Sequence, residues 1–126
     1  YQTLLYRKQL GTSVEIAADI LVKHASSAGN WKLLDAAKDT LLRGGASSLI
    51  ITGAATGAEV NWADIKALKQ ALPKAKVWIG SGMTPDLLSQ ARGLVDAVIV
   101  GTFFHQNGDI ELPLSVERVR SFMERC

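Results

Sequence analysis

Asp19, Lys23 and His24 bring a carboxylate and two bases close together near the start of the chain. Asp19 interrupts the nearly continuous apolar run Ile16-Ala17-Ala18-Asp19-Ile20-Leu21-Val22, which reads as a strand over residues 14–22. Successive side chains alternate across a strand, so Asp19, Leu21 and Lys23 share one face. His24 starts on the other face unless the chain turns there. At about 3.3 Å per residue, Asp19 and Lys23 stand roughly 13 Å apart and do not touch directly. A carboxylate and a nearby base can share proton transfer at a sugar or carbonyl carbon. The competing reading is a buried Asp held by backbone groups, with Lys23 and His24 solvated in a loop. An Asp inside an apolar strand is costly to bury without a partner, which favours a functional role.

A second kind of chemistry lies in the glycine turns. Lys76-Val77-Trp78-Ile79 ends abruptly in Gly80-Ser81-Gly82-Met83-Thr84-Pro85. Bare backbone at such a turn lets a ligand approach closely. Thr84 is placed to cap a helix and Pro85 suits its first position, so free N–H groups and the helix dipole would favour an anion such as phosphate. Gly101-Thr102 ends the next apolar run, and two neighbouring glycine-containing turns would make an anion nest. The alternative for Gly80, Ser81, Gly82, Gly101 and Thr102 is close packing of strand on helix. In the stretch Thr52-Gly53-Ala54-Ala55-Thr56-Gly57, Thr52, Gly53, Thr56 and Gly57 can present hydroxyls and N–H groups to a ligand, or serve turn geometry alone.

Other polar residues give less. His105, Asp109 and Glu111 share a loop without a recognised metal-ligand spacing, and Asn107-Gly108 is turn chemistry. His105 reads as a surface loop histidine. Trp31, Trp62 and Trp78 are too dispersed for a stacking platform and read as packing residues. Neither a metal nor a cofactor is assigned.

The elements that must position these residues follow an alternating order. Residues 1–10 read as the end of a helix stopped by Gly11. After the first strand, Leu33, Leu34, Ala37 and Leu41 recur at helical spacing before Gly44-Gly45. The strand 48–52 follows, and Asn61 can cap a helix with Ile65, Leu68 and Leu72 inside, ended by Pro73. The strand before Gly80 leads to a short helix over 85–91, then a strand over 97–100. Ser115 can cap a last helix with Val116, Val119, Phe122 and Met123 inward.

This is one helix followed by four strand–helix units, which fits half of a (βα)8 barrel or a small doubly wound sheet. Length favours the second, since about 250 residues is usual for a complete barrel. The turns of small or polar residues after every strand favour the first, because phosphate sites often form after the last two strands of such barrels. A response-regulator-like sheet would want acidic residues clustered at its first strand end, and Asp19 stands alone.

Composition bounds the answer further. The 126 residues are 48% hydrophobic and 21% charged, as in an ordinary folded α/β domain. A net charge of +2, with basic residues scattered over helices, gives no case for nucleic acid. The single Cys126 cannot make an internal disulfide and suits a reducing compartment. No apolar run approaches the roughly 20 residues of a membrane span, and no secretory signal opens the chain. A chain that begins with Tyr1 inside a helix reads as a fragment of something longer.

Four motifs in order carry a family resemblance. Asp19-Ile20-Leu21-Val22-Lys23-His24-Ala25 resembles the Asp-[VI]-x-x-Lys-His-[AS] segment of the BtpA/SgcQ family of barrel proteins. Ile51-Thr52-Gly53-Ala54-Ala55-Thr56-Gly57 is similar to its Val-Thr-Gly-x-x-Thr-Gly turn, and Gly80-Ser81-Gly82-Met83-Thr84-Pro85 to its Gly-Ser-Gly-[VI]-Thr-Pro. The segment from Ala97 to Thr102, with Asn107-Gly108-Asp109 and Val116-Glu117-Arg118-Val119, resembles its closing unit. Phe103-Phe104-His105 departs from the family by being bulkier than its small polar and basic residues.

The resemblance implies a single domain over residues 1–126, corresponding to strands five to eight of a TIM barrel. It would place Lys23 or His24 at the barrel mouth, with Asp19 inside. The implied activity is that of a phosphate- or sugar-phosphate-binding protein, nucleosidase-like or sugar-processing. The alternative is a biogenesis factor of the photosystem I type, acting through protein contacts. Either implies pairing with the other half of a barrel or self-association, and a soluble cytoplasmic, mitochondrial or plastid location.

Overall fold

The computed structural model describes residues 2–20, 32–52 and 61–126. Helix α1 (Gln2–Gln9) precedes strand β1 (Ala17–Ile20), and α2 (Leu33–Leu42) leads to β2 (Ser48–Ile51). Helix α3 (Trp62–Ala71) is followed by β3 (Lys76–Ile79), the short α4 (Leu88–Ala91) and β4 (Ala97–Val98). Two 3-10 turns, Thr102–Phe104 and Gln106–Gly108, bring the chain to α5 (Val116–Met123).

All strand pairings are parallel, and the sheet order is β1-β2-β3-β4. That sequential order matters. A doubly wound sheet reverses direction at a switch point, whereas a chain winding steadily in one direction builds the arc of a barrel wall. The fold is therefore α/β with a four-stranded parallel sheet, consistent with a TIM-barrel type.

Register separates the two faces of the sheet. Ala18, Leu49 and Val77 stand in one row, and Ile20, Ile51, Ile79 and Val98 in another. Leu49, Val77 and Ile79 in these rows have no exposed surface. They pack with Ala37 of α2, Ile65 and Leu68 of α3 and Ala91 of α4 into the core. On the opposite face, Asp19, Ile50, Trp78 and Ala97 form one row. Here Asp19 is exposed, while Ile50, Trp78 and Ala97 are only half-buried. Ile99, continuing this face, is 42% exposed. Helices cover one side of the sheet, and the other lies largely open.

Local chemistry explains most boundaries. Gly11, at φ +60°, ends the turn after α1. Gly45, at φ +63°, follows α2, and a methyl there would meet the Leu4 side chain at 3.0 Å, so α1 seats on this turn. Asn61 caps α3, its side chain accepting from Ala63 N–H at 3.0 Å. Ser115 caps α5 by accepting from Arg118 N–H at 3.3 Å and donates to Glu117 at 2.9 Å. Asn107 at φ +54° and Gly108 at φ +70° take the left-handed conformations expected of an Asn-Gly turn.

Four expectations are corrected. The described part of β1 covers only Ala17–Ile20, starting later than residue 14, and β4 is two residues long, although Ile99 N–H still donates to Ile79 C=O at 2.8 Å. Thr84 does not cap a helix: its carbonyl accepts from Leu87 N–H at 3.1 Å, which spends residues 85–87 on a turn. Helix α4 is left with four residues and no side-chain cap, too short for a useful dipole. Val116 and Met123 are 66% and 60% exposed, so Phe122 alone of the expected α5 stripe is fully inward.

Candidate functional site at the C-terminal edge of the sheet

Because the four strands are parallel, their C-terminal ends share one edge. Asp19 lies one residue before the end of β1, Thr52 directly follows β2, Gly80-Ser81-Gly82 follow β3, and Gly101-Thr102 come three and four residues after β4. The expected site residues that the structure describes are thus gathered at that edge. Lys23, His24, Gly53, Thr56 and Gly57 lie outside the described residues, as does Trp31.

Asp19 departs from expectation in its environment. It stands exposed on the open face, so desolvation does not make it costly here. Its row neighbour is Ile50, and Trp78 stands one strand further on. Two strand spacings of about 4.8 Å separate the backbones of Asp19 and Trp78 by roughly 10 Å.

The glycines divide by cause. A methyl on Gly80 would lie 2.6 Å from Ile50 Cγ2 and 2.7 Å from Thr52 Cγ2, so close packing of β3 against β2 requires glycine. Gly82 sits at φ +76°, a left-handed turn position, and the next residue, Met83, is buried and anchors the turn to the core. Gly101 has open space where a side chain would stand and a negative φ of −124°. No neighbour packs where a Gly101 side chain would stand, and Thr102 beside it is exposed. Thr52 is half-buried, and its Oγ1 is shut from solvent without a hydrogen-bond partner.

Beyond the edge, the bulky Phe103-Phe104-His105 has a structural account. Phe103, Phe104 and Phe122 meet with ring centroids 5.4–6.2 Å apart. The Arg118 guanidinium lies 4.3 Å over the Phe103 ring, and its Nε–H donates to Phe103 C=O. This cluster fastens α5 to the segment after Gly101-Thr102. His105 is half-buried, with Nδ1 2.6 Å from Leu112 C=O, a tighter setting than a surface loop. Among the described residues, no group of three His, Cys, Asp or Glu side chains is arranged to hold a metal.

At the opposite end of β3, Asp96 accepts from Val77 N–H at 2.8 Å and from Lys69 Nζ at 3.2 Å. The Val77 N–H, followed by the Lys69 ammonium, holds its carboxyl below the usual range. Glu117 is also lowered, by its own N–H and the Ser115 hydroxyl. Asp96 is a structural group at the end of the sheet away from the candidate site, and Glu117 belongs to the cap of α5.

Trp78, expected as a packing residue, is half-buried. Its flanking Val77 and Ile79 are buried beneath helices, so alternation turns the indole to the open face, in the row that Asp19 begins. In the sequence Val77-Trp78-Ile79 is a continuous apolar run, so only the burial pattern separates the face of Trp78 from that of its neighbours.

A parallel α/β sheet wound in sequence, with small polar turns gathered at its C-terminal edge, belongs to the class in which barrel proteins are built. The family model described as the BtpA family matches residues 1–126, and the chain belongs to that family. It is 36% identical over 124 residues to the photosystem I biogenesis protein BtpA of Synechocystis, covering 98% of this chain and 43% of that protein. An uncharacterized protein of Thermococcus kodakarensis is 35% identical, with 98% and 46% covered. The sgc region protein SgcQ of Escherichia coli K12 is 22% identical, with 98% and 47% covered. The chain therefore spans less than half the length of these relatives. No solved structure matches it. No helix among the described residues is long and apolar enough to cross a membrane.

Proposed function

We propose that the chain supplies strands five to eight of a (βα)8 barrel and binds a phosphate or sugar phosphate at the C-terminal edge of its sheet. The observation that carries this reading is the pair of glycine turns, Gly80-Ser81-Gly82 and Gly101-Thr102, leaving adjacent parallel strands at one edge. Gly101 adds weight because nothing in its own surroundings excludes a side chain. The anion is held by turn N–H groups and the Ser81 and Thr102 hydroxyls, since α4 offers no dipole. Thr52, Gly53, Thr56 and Gly57 border the same ligand from β2. Asp19, with Lys23 or His24, supplies acid–base chemistry at the carbon next to the anion, as in a nucleosidase-like or sugar-processing reaction.

The second reading is a biogenesis or assembly factor acting through protein contacts. The name of the Synechocystis relative favours it, as do the exposed Ile110, Leu114, Val116 and Met123 along α5 and the loop before it.

Thermal unfolding with inorganic phosphate and ribose 5-phosphate separates the two readings. A ligand in hundredfold excess over its Kd stabilises the folded form by about 2.7 kcal/mol, a shift of several degrees. Gly101→Ala should lower the unliganded midpoint less than Gly80→Ala and reduce that shift, because its methyl enters the space of the anion. No shift with either compound would favour the assembly factor.

A further inference from the structure

We infer that Arg118 is the charged residue of the phosphate site, reaching from the first turn of α5 to an anion held at Gly101-Thr102. The inference rests on the phosphate reading above and adds the group that counters the anion's charge. Two contacts fix the place of the guanidinium. Its Nε–H donates to Phe103 C=O, and its carbon lies 4.3 Å over the Phe103 ring. Phe103 directly follows Thr102, and consecutive Cα atoms stand about 3.8 Å apart. The head group of Arg118 is therefore anchored one residue beyond the turn proposed to hold the anion.

This anchoring leaves most of the guanidinium unused. Nε–H is spent on Phe103, while Nη1 and Nη2 find no carboxylate or carbonyl acceptor among the described residues. The acids nearest in the chain are engaged elsewhere: Glu117 accepts from the Ser115 hydroxyl at 2.9 Å, and Asp109 from Glu111 N–H at 3.0 Å. Arg118 is half-buried, as is Lys69, but Lys69 is paired with Asp96 at 3.2 Å. A cation partly withdrawn from water without a counter-charge is costly, and a bound anion removes that cost. Holding α5 to the loop uses only the ring face and Nε–H. The free Nη pair retains the planar fork that matches a phosphate through two parallel hydrogen bonds. A phosphate bridges donors about 8 Å apart, so one seated on the Thr102 hydroxyl is within reach of that fork. Gly101, with open space where a side chain would stand, leaves room for it.

The test titrates the chain with inorganic phosphate, followed by calorimetry and by the arginine Nε–H resonances of the nitrogen-labelled protein. Saturation should move the Arg118 Nε–H signal. Arg118→Gln should weaken phosphate binding about tenfold or more, and Arg118→Lys, which keeps a cation, should lose less. Phe104→Leu loosens the same ring cluster without removing the charge. It should lower the urea midpoint and leave phosphate affinity within about twofold. Unchanged affinity in Arg118→Gln would overturn the inference, and so would an equal loss in Phe104→Leu, which would make Arg118 a fastener only. Either result leaves the phosphate site standing. If Arg118→Gln does not fold, the unaltered chain decides, since an Arg118 signal that stays still at saturation overturns the inference. Absence of phosphate binding by the unaltered chain would overturn both this inference and the phosphate reading.

Discussion

At the scale of single residues, the two glycine turns have different physical origins, and substitution separates them. Gly80→Ala forces a methyl to within 2.6 Å of Ile50 Cγ2, and a strand interior cannot widen without moving its partner. A loss of about 1–3 kcal/mol is expected in urea denaturation. Gly101→Ala meets open space, so it should cost less stability than Gly80→Ala. Asp96 gives a pH prediction. Its folded pKa is depressed, chiefly by Val77 N–H, so its contribution is present above the ordinary Asp value and lost as pH falls through the lower folded value. Its side chain is 43% exposed, so solvent screening limits the effect, and Asp96→Asn should cost about 1 kcal/mol at neutral pH. Denaturation curves at pH 7 and pH 3 check this: the gap between variant and parent should narrow at the lower pH.

Elements were legible where local chemistry decides them. Asn61 and Ser115 cap their helices as their residue types require, and Asn107-Gly108 makes its left-handed turn. Asn61→Ala should therefore cost about 1 kcal/mol, seen as a lowered unfolding midpoint. Where partners distant in sequence decide, the reading was less complete. Thr84-Pro85 has the pattern of a helix start, but a local turn in which Leu87 N–H donates to Thr84 C=O takes its place. Val116 and Met123 fit a helical stripe, yet α5 is fixed through Phe122 and the Phe103-Phe104 pair, which leaves both at the surface. Phe122→Ala should remove that anchor at a cost of about 3 kcal/mol, with loss of the tertiary aromatic signal of α5 as the readout. The candidate site was legible in part: its turns are visible in the sequence, whereas the open face shared by Asp19, Ile50, Trp78 and Ala97 needed the register that joins them.

For the whole molecule, the sequential sheet poses a closure problem. Among the described residues, strands β1 and β4 each have one neighbour in the sheet, and the face opposite the helices exposes Ile99 and half-exposes Ile50 and Trp78. Open strand edges and an apolar inner face favour association. The barrel proposal accordingly expects more than one chain per particle in light scattering, and a monodisperse monomer would count against it. The central claim is the place of the ligand. Away from the glycine edge, a cleft is lined by Arg92 and Arg125, where Arg92 donates to Arg125 C=O and Cys126 C=O and Arg125 pairs with Asp86. Titration of the isotope-labelled chain with ribose 5-phosphate, followed through its amide resonances, distinguishes these places most directly. The account requires the largest shifts at Gly80, Ser81, Gly82, Gly101 and Thr102. Shifts confined to Arg92, Arg125 and their neighbours, or none at all, would contradict it.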